Sequence, residues 1–160
     1  MYIHRTSDVH PMYSRRPSIF SNRALARGAT LALMAKRPNS YPRVSAYLIC
    51  PGAPRVIEFA KNVLDAQVER RYDAPDGSVM HAELRIDDSI VMIGDSGEQW
   101  PAVPTHLHVY VDDVDATYQR ALAAGATSVR APEQREGDPD RRGGVLDVAG
   151  NTWWFATQLE

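Results

Sequence analysis

Cysteine is almost absent from this chain. Cys50 is the single one in 160 residues, which excludes an internal disulfide framework and any all-cysteine zinc site. That usage fits a reducing compartment. Long apolar runs are absent as well: no stretch approaches the ~18 consecutive apolar residues of a membrane span, so the chain is not read as an integral membrane protein. Compositional extremes are also missing. Hydrophobic residues make up 44% and charged residues 24%, which excludes a disordered or collagen-like chain. The length admits one domain or two very small ones, and folding at this size hides roughly 70% of the unfolded surface.

Acids are scarce at one end only. Residues 1–43 hold eight Lys/Arg and one acid, Asp8, whereas residues 44–160 hold ten Lys/Arg and nineteen Asp/Glu. The net charge of −2 therefore conceals a basic head on an acidic remainder, with a boundary near Arg43. The head also carries Pro11, Pro17, Pro38 and Pro42 and has no clear period. We read residues 1–43 as a flexible basic extension. A targeting segment and an arm for nucleic acid or another acidic surface are the alternatives. Met34 opens MAKRPNSYPRVSAYLIC, a normal start for a compact domain, so translation begun too far upstream would also produce this head. Residues 24–34 are apolar enough for a short helix if something packs on them. The acidic remainder argues against nucleic acid as the main ligand. With no convincing signal peptide and a lone cysteine, the expected location is cytoplasmic.

What is present is one pattern, twice. Val44 to Cys50 is a short apolar run ended by Pro51-Gly52, a strand. Pro54 suits the first turn of a helix, and Val56, Phe59, Ala60, Val63 and Leu64 form one apolar stripe. Strands follow at Gln67 to Tyr72, Val79 to Ile86 and Ser89 to Ile93, and Gly94 to Pro104 reads as a linker. The second copy has a strand from His106 to Val111 and a helix capped by Asp112-Asp113, with Val114, Tyr118, Ala121 and Leu122 as its stripe. Gly125 ends that helix. Strands are expected at Thr127 to Ala131, Gly144 to Val148 and Thr152 to Gln158, with a polar loop from Glu133 to Gly143. The repeated order means an internal duplication. The fold class is α+β: two βαβββ modules, residues 44–98 and 104–160, whose helices shield the outer faces of two sheets and leave the inner faces to form a cleft.

The segments YLICPGAPRVIEFAKNVLDAQ, HAELRIDDSIVMIGD, HLHVYVDDVDATYQRALAAGAT and GDPDRRGGVLDVAGNTWWFATQLE resemble, in order, the glyoxalase / bleomycin-resistance / extradiol-dioxygenase (vicinal oxygen chelate) superfamily. The similarity is greatest to its PhnB-like branch and spans about Val44 to Glu160. The resemblance implies paired βαβββ modules, an inward-facing site and a homodimer. In catalytic members a divalent metal sits in that site, held by residues on the first and last strand of each module. The matching positions here are about Ser45, about Val91, His106 and Trp154. One usual ligand, His106, remains, because indole and valine cannot ligate such a cation. The PhnB-like branch also commonly carries a His where Asn151 stands.

The chemistry that remains follows from period two. If His106 faces inward, so do His108 and Tyr110. Trp154 and Tyr47 share the inner faces of their strands, and His81 and Glu83 lie opposite the apolar Ala82/Leu84 row. Trp153 and Trp154 must point to opposite sides. Three readings follow. The first is a small-molecule binding pocket of Tyr47, His81, His108, Tyr110 and Trp154, with Arg142 closing over an anionic ligand. The second is a non-standard divalent metal site (Zn, Fe, Mn or Ni) on His81, Glu83, His106 and His108, serving a lyase, isomerase or dioxygenase. The third is metal-free acid/base catalysis with His106 or His108 as proton carrier and Glu83 orienting it. We take the first as primary, with no cofactor expected. Cys50 is read as a plain buried cysteine.

Overall fold

A computed structural model describes residues 38–159. The helix expected over residues 24–34, and the head up to residue 37, lie outside the described residues. Module one runs β1 (Ala46–Cys50), α1 (Ala53–Leu64), β2 (Gln67–Asp73), β3 (Val79–Ile86) and β4 (Ser89–Asp95). Module two runs β5 (His106–Tyr110), α2 (Val114–Ala123), β6 (Thr127–Gln134), β7 (Asp140–Leu146) and β8 (Thr152–Gln158). Each module builds one four-stranded sheet, in the orders β1-β4-β3-β2 and β5-β8-β7-β6. In each, the first and last strands pair parallel and the remaining pairs are antiparallel. The βαβββ repeat is thus the architecture of the chain.

The same devices recur in both modules. Gly52 enters α1 at φ 70°, a left-handed conformation that glycine adopts without cost, and Pro54 occupies the first turn. No side chain of α1's own entry caps it. Asp95, at the end of β4, does so instead: its Oδ1 accepts from Ala53 N at 2.8 Å, and its Oδ2 from Val79 N at 2.7 Å. In module two, Thr157 near the end of β8 takes the equivalent role, with its Oγ1 accepting from Val114 N at 2.9 Å and donating to Val111 O at 2.8 Å. Asp113 adds an ordinary cap on Ala116 N at 2.9 Å.

Three boundaries depart from the sequence reading, each for a packing reason. β4 continues through Gly94 to Asp95, and the expected linker starts later. A Cβ at Gly94 would stand 3.1 Å from Met80 O and 3.4 Å from Tyr47 Oη, so the glycine serves a close approach within the sheet, not a break. The expected Glu133–Gly143 loop is mostly strand: β6 extends to Gln134, and β7 begins at Asp140. Gly143 looks like a loop residue in sequence and Gly144 like the first residue of a strand. Here they admit Pro132, 2.9 Å from a Cβ at Gly143, and the Trp154 ring, 2.5 Å from a Cβ at Gly144. Pro132 is tolerated because β6 is an edge strand.

One core joins the modules. Leu48, Val56, Phe59, Val63, Leu84 and Ile93 of module one cluster with Val114, Tyr118, Val145, Trp153 and Phe155 of module two. The rings of Phe59 on α1 and Trp153 on β8 lie 5.8 Å apart at 51°. Arg120 of α2 reaches Val63 O at the end of α1, at 3.1 Å from Nη2 and 3.3 Å from Nε. No helix among the described residues is long and apolar enough to cross a membrane.

The β7–β8 turn is built on Asp147, which is only 5% exposed. Its Oδ1 accepts from Ala149 N at 2.8 Å and Asn151 N at 2.9 Å; its Oδ2 accepts from Asn151 Nδ2 at 3.0 Å and Trp153 Nε1 at 2.9 Å. Asn151 Oδ1 in turn accepts from Thr105 N at 3.3 Å, tying the turn to the start of β5. Removing the carboxylate leaves buried donors unsatisfied. Asp147→Ala is expected to cost about 3 kcal/mol and to lower Tm by roughly 10 °C in thermal unfolding. An unchanged Tm would refute this role for the turn.

Candidate functional site

Alternation along β3 buries Ala82 and Leu84 completely in the core and turns His81 and Glu83 to the opposite face. β1 brings Tyr47 to that face, and Met92 of β4 lies opposite both Tyr47 and Glu83. Tyr47 Oη lies 2.9 Å from His81 Nδ1, and His81 Nε2 lies 3.2 Å from Glu83 Oε1. Tyr41 donates its hydroxyl to Glu83 Oε2, and Arg70 Nε stands 3.6 Å from the same oxygen. Tyr72 stacks on the His81 ring at 6.4 Å and 27°. Arg70 and Arg85 each lie 5.8 Å from the Tyr41 ring.

Glu83 is 6% exposed. Burial works against its charge, but the hydrogen bonds from Tyr41 and His81 and the nearby Arg70 outweigh it and hold the carboxyl below its ordinary range. An ionised carboxylate only accepts, so Nε2 of His81 carries the ring proton, and Nδ1 accepts from the Tyr47 hydroxyl. Burial raises the Tyr47 hydroxyl above its usual value, which keeps it a neutral donor.

Tyr47 opens onto a recess of about 500 Å³ lined with Ile49, Met80, Gly94, Asp95 and Trp100. Trp100, in the linker after β4, is 67% exposed. Met80 reaches the recess through a β-bulge: Tyr72 pairs with His81 but Asp73 pairs with Val79, so Val79 turns to the core and Met80 outward. A larger groove of about 560 Å³ lies between the modules, lined by Asp65, Asp87, Asp112, Asp113 and Arg120 among others. Of the sequence-predicted residues it holds only Tyr110.

The polar face of the second sheet forms its own cluster. His106, His108 and Tyr110 of β5 lie opposite Thr152, Trp154 and Ala156 of β8. Trp154 Nε1 donates to His106 Nδ1 at 3.2 Å, and the Arg130 guanidinium lies 5.1 Å over the indole. The His108 and Tyr110 rings are 5.0 Å apart. Tyr110 donates to Asp140 Oδ2 at 2.9 Å, a bond that raises its own pKa. Arg142 is ion-paired with Asp138. Trp153, fully buried, faces the other way from Trp154.

The sequence reading put all of these in one lining. The structure gathers Tyr47, His81 and Glu83 into one cluster, and His106, His108, Tyr110 and Trp154 into another. Among the described residues no hydrogen bond links Glu83 to His106 or His108; its histidine partner is His81. Val91, assigned a cleft position by spacing, lies in the core, and Met92 occupies that face. Tyr41, Tyr72, Met80, Arg130 and Asp140 were not picked out from the sequence. Tyr41 lay in the stretch assigned to the head, the bulge hides Met80, and Asp140 and Arg130 fall in or beside the misread β6–β7 segment. Cys50 is buried, and burial, with Asp147 nearby, pushes its thiol up to about 11, which leaves it no nucleophile.

The described residues show no gathered donor set for a divalent metal. The four positions marked by the resemblance hold Ser45, Val91, His106 and Trp154, and the His106 Nδ1 is taken by the Trp154 indole. Both nitrogens of His81 are engaged within the sheet. Among the described residues, no three His, Cys, Asp or Glu side chains gather as ligands.

Because the folded protein holds Glu83 below its ordinary range, this group adds stability above the unfolded carboxyl pKa. That contribution is lost as pH falls through the lower folded value. Urea unfolding at about pH 6 and about pH 3.5 is expected to show a steeper acid loss for the wild type than for Glu83→Gln. Parallel acid branches would contradict the assignment.

Comparisons with known proteins agree with this architecture. The profile of the Glyoxalase/Bleomycin resistance protein/Dioxygenase superfamily matches residues 42–155. An uncharacterized protein of Mycobacterium tuberculosis is 36% identical over 138 residues, covering 79% of this chain and 78% of its own. The crystal structure of TioX from Micromonospora sp. ML1 superposes with a TM-score of 0.59 at 25% identity, over 72% of this chain and 99% of that one. The fosfomycin resistance protein FosX of Listeria monocytogenes, in a mutant complex with Mn(II) and a dihydroxypropylphosphonic acid, shares the fold at 16% identity, with a TM-score of 0.55 over 69% of this chain and 85% of that one. A matched profile over most of the chain and a duplicated βαβββ fold lead to one conclusion: the chain belongs to the Glyoxalase/Bleomycin resistance protein/Dioxygenase superfamily.

Proposed function

We propose that this chain binds a small, flat, largely apolar molecule in the recess of module one and does so without a resident metal. The observation that carries this is the recess itself: Ile49, Met80 and Trp100 provide apolar surface, and the Tyr47 hydroxyl enters from a hydrogen-bonded row. Such a lining, apolar with few convergent polar groups, is the usual build of a small-molecule site. Trp100 and Tyr47 supply rings for stacking. A homodimer belongs to this reading. Proteins of this family commonly pair, and Tyr47, Tyr72, Met80, Trp100 and Tyr110 are exposed in a single chain.

The binding claim is tested by titrating tryptophan emission with a panel of small aromatic compounds. Trp100→Ala is expected to weaken the best binder about tenfold, the effect of losing one stacking partner. Undiminished affinity would remove Trp100 from the site. Native mass spectrometry of tag-free protein reads the other two claims together. A dimer with no bound metal is expected; about one Zn, Fe, Mn or Ni per chain, by the stoichiometry of a built site, would replace this reading with that of a metalloenzyme.

A further inference from the structure

Resting on the recess as the binding site, we infer that Tyr47, His81 and Glu83 form a proton relay that takes up the proton of a ligand carrying a weakly acidic O–H or N–H, such as a phenol or an enol. The geometry supplies each link. Tyr47 Oη stands on the recess wall and 2.9 Å from His81 Nδ1; His81 Nε2 stands 3.2 Å from Glu83 Oε1. A Cβ at Gly94 would stand in van der Waals contact with Tyr47 Oη, at 3.4 Å, so the glycine leaves that oxygen uncovered on this side. With its proton directed at His81, the Tyr47 oxygen offers lone pairs to the recess. A donor on the ligand is the complement to that oxygen; a bare carbonyl is not.

The step balances as two proton shifts. The ligand O–H or N–H bond breaks and its proton forms a new O–H bond on Tyr47. The original Tyr47 proton moves to His81 Nδ1, and the ligand keeps the electron pair as an anion. His81 becomes an imidazolium whose Nε2–H still donates to the ionised Glu83. Afterwards every donor in the row has an acceptor: Tyr47 O–H faces the ligand anion, and His81 Nδ1–H faces Tyr47 Oη. No oxidant, metal or co-reactant enters.

Charged and polar groups face His81 from its own strand, from β1 and from β2. Glu83 on its own strand is the nearest charge. Tyr72 of β2 covers the ring, and Tyr47 of β1 meets it from the recess side. Arg70 of β2 and Tyr41, from the segment before β1, bind the far oxygen of Glu83. Asp95, also on the recess, has both oxygens committed to backbone N–H groups of Ala53 and Val79.

The test uses para-nitrophenol, whose anion is yellow and whose neutral form is not. Tryptophan quenching reports binding; absorbance of the bound probe reports ionisation. Below the probe's own pKa, bound probe is expected to be ionised about tenfold more than free probe, one pKa unit of differential stabilisation. His81→Gln, outside the recess lining, is expected to keep the quenching and lose the extra ionisation; Tyr47→Phe is expected to lose the extra ionisation at probe concentrations raised until quenching saturates. Quenching by the wild type with no gain in phenolate overturns the relay and leaves the binding site standing. So does a gain that persists in both variants, provided thermal unfolding shows them folded. Absence of quenching by para-nitrophenol at millimolar concentration overturns the relay through its premise, while the aromatic panel decides separately whether the recess binds anything.

Discussion

Each sheet of this protein has one helix of its own to cover it, so only one of its faces can be apolar. The rest follows from that constraint. Ala82, Leu84 and Ile93 turn toward α1, and Val145, Trp153 and Phe155 join them in the shared core. Their strand neighbours are forced to the other side, where no helix among the described residues covers them. Polar and aromatic residues then accumulate on a rigid, pleated surface whose side-chain positions are set by backbone ladders. A sheet face of this kind is a better platform for a hydrogen-bonded row than a loop, because each member's neighbours are fixed by register. Tyr47, His81 and Glu83 come from two strands that do not touch each other directly; β4 lies between them and holds the spacing.

This constraint also explains what could be read in the sequence. Period-two alternation from Val79 to Ile86 and from Thr152 to Gln158 gave both strands with their observed ends. The α1 stripe and the duplicated order gave the modules. What failed was glycine. Gly94 and Gly143 carry no side chain, so in sequence they look like breaks; in space they make room for the Met80 carbonyl and Pro132, as Gly144 does for the Trp154 ring. The group that fills such a gap lies far along the chain, and no local pattern records it. The β3 bulge failed for the same reason. An irregularity in pairing with β2 reverses the alternation at Val79 and Met80, which sequence alone presents as continuous. The sheet face of each candidate residue was legible, since both polar rows follow from alternation. The division of the candidate site into two clusters was not, because alternation gives the face of a residue and not its distance from the other sheet.

The two modules share a scaffold and differ in their chemistry. Asp95 and Thr157 occupy corresponding places and cap the corresponding helices, one as a carboxylate and one as a hydroxyl. The polar faces have diverged further. Module one carries a buried charge met by Tyr41, His81 and Arg70, a row able to hold and pass a proton. Module two carries Trp154 between His106 and Arg130, which makes a stacking surface with a cationic back. The divergence is tied to backbone space: the indole of Trp154 lies flat only because Gly144 opposite has no Cβ.

The same substitution bears on metal chemistry. The indole N–H at position 154 occupies the Nδ1 lone pair of His106. In module one, Met92 presents a thioether where a hard cation needs oxygen, and both nitrogens of His81 already serve the sheet. Module one instead holds a carboxylate below its ordinary range inside the protein. Glu83 remains charged because it is surrounded by donors, and those donors are held in place by its charge. That mutual dependence keeps the Tyr47 hydroxyl aimed at His81, and so leaves an oxygen with open lone pairs at the wall of an otherwise apolar recess.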